Sequence, residues 1–362
     1  MISTKPIYLY KYLGLKRNKI PEVIRRLFYL SWEDALWDIL DKKNVKKESV
    51  VLVPEFFCGD VEENIRNHGY KIKYYPVTKK LTTNSKQLLI IIKKVKPSVL
   101  IIFHSVGIKN KLLDISDWLK KIDKNLILIE DCVHRVIDPN RLKFLKRNHF
   151  IIDSLRKVVP LQGSVVYAQK NDINFFEPPM LQSFIYATSV TLLWLVMNIF
   201  WSLTQIFNQV KLSICLSNCS NYFMKVGYNL IGDSKKPARG FFLFNFLQQY
   251  LDIRKIKLVK RKQVEFYEKK LKFLPRSFFQ KVYYDNNDKG ELIAYPLILP
   301  IKIAHKIKRK IEGEGLLLDF ELNDSKWSKK QKIIYLPLGL HISESQLGRI
   351  SEIINQLGLS YS

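Results

Sequence analysis

From Arg25 to Asp131 the chain switches repeatedly between two hydrophobic periods, and each switch marks an element. Ala35, Leu36, Ile39 and Leu40 recur at helical spacing, with Ser31 placed as a cap and Asp34 three residues on. An apolar run at 50–53, closed by Pro54, predicts a strand. A helix with Asp60, Glu62 and Glu63 in its first turn follows, then a strand at 71–77. Helices at 85–94 and 114–121 flank a strand at 98–103. Two short apolar runs come next, 126–129 and 150–152, separated by a basic, helix-like piece. Strand alternating with helix predicts an α/β fold, a mostly parallel sheet covered by helices on both faces.

Beyond position 171 the pattern changes. No charged residue stands between Glu177 and Lys211, and the stretch is long enough to cross a bilayer, for which about 20 apolar residues suffice. Polar residues such as Gln182, Thr191, Asn198 and Gln205 interrupt it. Three readings stay open for 181–207: a helix buried in the core or a subunit interface, a helix lying in the membrane surface with Trp194 and Trp201 as flanks, or a true span. After Gly240 a long helix is predicted, alternating apolar and basic positions in its second half. A strand at 294–300, a helix at 302–313, a strand at 332–337 and a closing helix at 343–357, capped by Ser343 with Gln346, complete the chain. The expected organisation is a large α/β domain over 1–236, with 171–236 as an apolar insertion or rebuilt region, and a smaller α+β domain over 237–362.

Charge changes this picture little. The net charge is +27 over 362 residues, but Lys is scattered from Lys16 to Lys332 and no nucleic-acid recognition motif accompanies it. A basic surface favours anionic partners, such as nucleotide sugars or acidic lipid head groups. Cys58, Cys132, Cys215 and Cys219 form no CxxC pair and read as reduced thiols. The first 19 residues lack the apolar core of a signal peptide. A cytoplasmic protein is expected, with membrane contact only through 181–207.

Candidate chemistry concentrates where the two short apolar runs end. The first ends in Glu130 and Asp131, the second in Asp153 and Ser154, with Lys157 three residues on. Two buried strands thus bring a carboxylate and an amine to the edge of the sheet where open α/β folds bind ligands. Pyridoxal 5'-phosphate (PLP) enzymes need that pair, the amine for a Schiff base and the carboxylate for the pyridinium nitrogen.

The succession VLVPEFFCGDVEENIRNHGYKIKYYPV, IEDCVHR, DSLRKVVPLQG and, after the long helix, YLPLGLHISESQLGRI resembles the DegT/DnrJ/StrS family of PLP-dependent sugar aminotransferases. The likeness runs from about Phe28 to the end, apart from roughly 172–236. It implies the PLP-dependent transferase fold type I, a homodimer, and transfer of an amino group from a donor such as glutamate to a keto-sugar carried on a nucleotide, for a surface polysaccharide or a secondary metabolite. It further implies Asp131 on the pyridine nitrogen and Lys157 as the Schiff-base lysine and proton carrier. His134 would lie near the ring's phenolic oxygen, with Phe56 or Phe57 stacked on the ring. Ser154 would bind the phosphate, Ser31 would begin the phosphate-binding turn, and Arg239 would reach a neighbouring subunit's cofactor phosphate. No metal is implied. The turn itself departs from the family: Ser31 is followed by Trp32, Glu33 and Asp34 where Ser-Gly-Thr is usual. Either the two carboxylates point to solvent as ordinary first-turn acids, which the helix dipole favours, or the cradle has degraded and the chain keeps the fold as a membrane-associated binding or scaffold protein.

Overall fold

The computed structural model describes residues 2–3, 5–6, 8–114, 123–172, 182–206, 210–233, 237–275, 278–280, 282, 284–318 and 320–359. A two-residue strand, β1 (Ile2–Ser3), opens the chain. The main sheet has seven strands: β2 (Ile24–Tyr29), β3 (Val50–Pro54), β4 (Lys71–Tyr75), β5 (Val99–Phe103), β6 (Ile127–Asp131), β7 (His149–Ile152) and β8 (Ser164–Gln169), in the spatial order β2-β8-β7-β6-β5-β3-β4. Only β8 runs against its neighbours, so the sheet is mostly parallel. Phe103 pairs with Asp131 and Asp131 with Ile152, which aligns the carboxyl ends of β5, β6 and β7. Every residue of β5 is buried, as its unbroken apolar run requires of a central strand covered on both faces.

Helix α1 (Trp32–Lys42) starts at Ser31, whose hydroxyl accepts the Asp34 N–H at 3.0 Å. The Asp34 carboxylate in turn accepts the Ser31 hydroxyl at 2.6 Å and the Ala238 N–H at 2.9 Å. This ties the start of α1 to the chain that follows the apolar insertion. Helices α2 (Gly59–Asn67) and α3 (Ser85–Val95) fall where their periodicity predicts, whereas the helix expected at 114–121 lies outside the described residues. A one-turn helix, α4 (Leu155–Val158), carries Lys157. The insertion folds as two long helices, α5 (Gln182–Ile206) and α6 (Val210–Asp233), packed against each other. Only a third of the apolar window of α5 is buried. Its inner face packs through Ala187, Val190, Trp194, Met197 and Trp201; its other face is uncovered. It is not a core helix.

Three elements differ from expectation. Strand β2 escapes the pattern because Arg25 and Arg26 interrupt an edge strand that has only one neighbour. The basic piece after Asp131 is a single 3-10 turn at Pro139–Arg141, not a helix. There the Asn140 and Leu145 N–H groups bond to the Asp138 carboxylate and the His149 ring, and side chains that capture backbone donors compete with a helix. The long helix after Gly240 is broken into α7 (Phe242–Leu247), a 3-10 turn, and α8 (Ile253–Lys270). The break arises because Asp252 donates its N–H to Tyr12 and caps α8 with its carboxylate, while Leu251 bridges Leu13. The remaining elements are β9 (Tyr295–Pro300), α9 (Ile301–Gly313), β10 (Leu316–Leu317), β11 (Gln331–Leu336) and α10 (Glu344–Leu359). Strands β9 and β11 pair antiparallel, and β10 joins β1.

Under the site, Glu130 binds three strand ends together. Its carboxylate lies 2.8 Å from His104 Nε2 and 3.2 Å from His149 Nε2, both rings fully buried. Each ring's Nδ1 accepts a backbone N–H, from Asn110 at 2.9 Å and from Leu145 at 3.2 Å. The proton therefore sits on Nε2 in each ring; that of His104 is hydrogen-bonded to Glu130, whereas that of His149 lies close to the carboxylate outside hydrogen-bond geometry. This leaves neither Nε2 a lone pair for a metal ion, although Cys132 completes a ligand-like group with His104 and Glu130. Burial raises the Glu130 pKa, but the two imidazoles outweigh it and hold the carboxyl below its usual range. Glu130→Ala, which strands two buried N–H donors, is expected to cost roughly 3–5 kcal/mol in urea unfolding, and Glu130→Gln clearly less.

Candidate active site

The aligned strand ends and the loops after them enclose one small cavity of about 70 Å³, bounded by Trp32, Phe57, Asp131, His134, Ser154 and Lys157 among others. Asp131 is the last residue of β6 and is almost fully buried. It accepts one hydrogen bond, from the Val133 N–H at 3.1 Å. Burial, with Glu33 adding repulsion, pushes its pKa up to about 8. The buried indole N–H of Trp32 lies beside the same carboxylate and favours its ionised form, although it falls short of full hydrogen-bond geometry.

Lys157 Nζ lies 3.2 Å from Glu321 Oε1, and the same oxygen lies 3.2 Å from His134 Nε2. The His134 ring continues to the Tyr335 hydroxyl at 3.4 Å, and so the chain of contacts runs from α4 to β11. Burial disfavours the Lys157 ammonium, yet the Glu321 carboxylate more than compensates and its pKa rises. Burial likewise opposes the Glu321 carboxylate, but Lys157 and His134 hold its pKa below the usual range. Burial lowers the His134 pKa, against the pull of Glu321.

At the opposite end, Arg156 donates to the Tyr228 hydroxyl of α6 and is attracted by Glu33. Burial pushes the Glu33 carboxyl up, with Arg156 opposing. Neither Glu33 nor Asp34 points to solvent, contrary to the reading of them as ordinary first-turn acids. Gly163 adopts a φ of +135°, and a Cβ there would meet the Phe28 ring at 2.3 Å, so only glycine lets β8 start this close to β2.

Of the residues singled out in the sequence, Asp131, His134, Ser154, Lys157, Phe57 and Ser31 border the cavity together. The Ser31 hydroxyl is engaged in capping α1. Phe56 packs instead on Trp327, with ring centroids 4.8 Å apart. Arg239 lies over the Tyr29 ring, 3.7 Å from Asp38, within its own chain. Sequence reading missed Glu321, which sits in a loop without a motif, and Tyr228, which the insertion supplies. Neither carries a local signal.

No protein-family model and no curated protein matches the chain. Solved structures do match. Spr1654 of Streptococcus pneumoniae, in its PMP form, covers 100% of both chains at a TM-score of 0.64 and 10% identity. The DegT/DnrJ/EryC1/StrS aminotransferase of Brucella abortus covers 92% of this chain and 86% of its own, at a TM-score of 0.58 and 14% identity. DesI, solved in the presence of its TDP-sugar product, covers 92% and 80% at a TM-score of 0.57 and 12% identity. The chain has the fold type I architecture. Within fold type I the residues present fit PLP at its ring: Asp131 is a buried carboxylate with a single hydrogen bond, and a protonated ring nitrogen would supply the missing partner. Arg156 and Ser154 offer a cation and a hydroxyl for the phosphate. Burial raises the Glu33 pKa, which eases the like-charge conflict there, and Arg156 stands beside it.

Glu321→Gln is expected to lower the Lys157 pKa, so that acylation of Lys157 by an amine reagent, followed by mass spectrometry, sets in at lower pH than in the wild type. Asp131 makes a second prediction. Between its ordinary value of 3.8 and about 8, the unfolded chain has lost a proton that the fold retains, so this group's contribution to stability falls as pH rises across that window. Asp131→Asn should therefore stabilise the cofactor-free protein by roughly 1–3 kcal/mol above that window in urea unfolding, and by little at acid pH.

Proposed function

We propose that this protein is a PLP-dependent aminotransferase acting on a keto-sugar linked to a nucleotide, with glutamate as the amino donor. The observation that carries the reading is the cavity where Asp131, with one hydrogen bond to its carboxylate, meets the amine of Lys157. Bound PLP supplies an electron sink and a carrier for the amino group. The protein's part follows from its own residues. Asp131 keeps the ring nitrogen protonated. Lys157 would hold the cofactor covalently and, once released from Glu321, would carry a proton at the reacting carbon. His134 borders the cavity between Glu321 and Tyr335, and would donate to the ring oxygen through Nε2 if Glu321 released it. Trp32 borders this small cavity, and admitting the cofactor would require its indole to leave the Asp131 carboxylate it lies against.

The sugar class rests on the shared fold and on the TDP-sugar held by DesI. The surplus of basic residues, +27 overall, suits a nucleotide diphosphate. The test is an absorption spectrum of the protein incubated with PLP. The wild type should gain a visible band that borohydride fixes on Lys157, Lys157→Ala should gain none, and Asp131→Asn should bind PLP but transfer roughly 10²–10³-fold more slowly with glutamate and a panel of nucleotide keto-sugars. No band at saturating PLP would sink the reading and leave the fold as a binding scaffold.

A further inference from the structure

Two surfaces outside the cavity have no role in that chemistry, and they are joined by contacts. The first is the uncovered face of α5, where Ile185, Leu192, Leu195 and Ile199 recur at spacings of seven, three and four and are 71%, 60%, 42% and 59% exposed. Trp194 on the same helix meets Phe244 of α7 edge to face at 5.4 Å, and α7 adds the exposed Phe242 and Phe246. The second is a cleft of about 1120 Å³ between residues 14–19 and the first turns of α8. Lys16, Arg17, Lys19, Arg254 and Arg261 line it, and among the described residues none of the five has an ion-pair or hydrogen-bond partner. Its two acids are engaged elsewhere: Asp138 with Arg141 at 3.6 Å, Asp252 in capping α8. The two surfaces meet where the Phe246 and Tyr250 rings lie 5.0 Å apart, since the Tyr250 carbonyl accepts the Gly14 N–H at 2.7 Å. Leu15 and Leu258, both exposed, line the cleft among its cations.

Five cations gathered without counter-ions repel one another, and large apolar side chains grouped in water are unfavourable. An anionic lipid bilayer relieves both, taking the aliphatic and aromatic side chains into its interface and the cations against its head groups. A second copy of this chain meets the need poorly, because it offers 33 acidic against 60 basic residues. A nucleic acid would satisfy the cations and leave the aliphatic stripe of α5 in water. We infer that the protein docks on an anionic membrane surface through this composite face, α5 lying along the interface and the basic cleft gripping head groups. The inference does not depend on PLP chemistry.

Flotation of the full-length protein with phosphatidylcholine vesicles, with and without phosphatidylglycerol, tests it. The wild type should float with the anionic vesicles and stay behind with the neutral ones. Leu192→Asp with Leu195→Asp should lose at least tenfold in recovery. Lys16→Gln, Arg17→Gln and Lys19→Gln together, all at exposed positions, should lose about fivefold per cation removed. No flotation of the wild type, or equal recovery of the wild type and the triple variant, would overturn the inference. So would salt-sensitive binding of single-stranded DNA or of a nucleotide sugar by a protein that ignores both kinds of vesicle.

Discussion

The site depends on how buried carboxylates at one edge of the sheet are compensated. Glu130 has two imidazole N–H groups facing it, Asp34 has a hydroxyl and a backbone N–H, and Glu321 has Lys157 and His134. Asp131 has one backbone N–H and a titration point raised to about 8. An ionised group left this way in the interior costs several kcal/mol unless a partner arrives or it stays protonated. Glu130, Asp34 and Glu321 are therefore structural members whose charges are largely matched, whereas Asp131, like Asp153 with its single Val165 N–H, keeps one backbone hydrogen bond and a pKa raised by burial. What separates Asp131 from Asp153 is place: Asp131 borders the cavity beside Lys157, and Asp153 does not.

The same logic explains why the altered turn at the start of α1 is compatible with an anion nearby. Asp34 is spent on holding α1 to Ala238, and its hydrogen bonds are internal to the frame. Glu33 faces the cavity, but burial raises its pKa and Arg156 stands close. A phosphate competing for Arg156 would therefore displace a carboxyl that is readily neutralised. The Trp32 side chain, at the position where the resembling family has glycine, fills space, and its indole N–H lies against the Asp131 carboxylate.

How much of this was legible in the sequence varies with the range of the cause. Asp131 and Lys157 could be placed because each closes an apolar run whose strand character is local. The Ser31–Asp34 cap was readable for the same reason. Strand β2 was not, since its two arginines are tolerated only because it lies at an edge. The break between α7 and α8 was invisible because the N-terminal segment at Tyr12 and Leu13 imposes it from more than two hundred positions away. Glu321 and Tyr228 reach the site through a loop and an insertion, and a residue whose role is set by tertiary contact leaves no periodic trace.

The insertion also links the cavity to the outer surface. Tyr228 of α6 accepts a hydrogen bond from Arg156, and Ile231 of the same helix lines the cavity. α6 packs along α5, whose far face is uncovered. A load on α5 therefore reaches Arg156 through a single helix-to-helix contact. The guanidinium is shared between Tyr228 and Glu33, and any shift of α6 changes that division. A group that took Arg156 from Tyr228 would loosen the contact that ties α6 to the cavity wall. The apolar insertion is thus built as a wall of the site, through Tyr228 and Ile231, and not as a detached anchor.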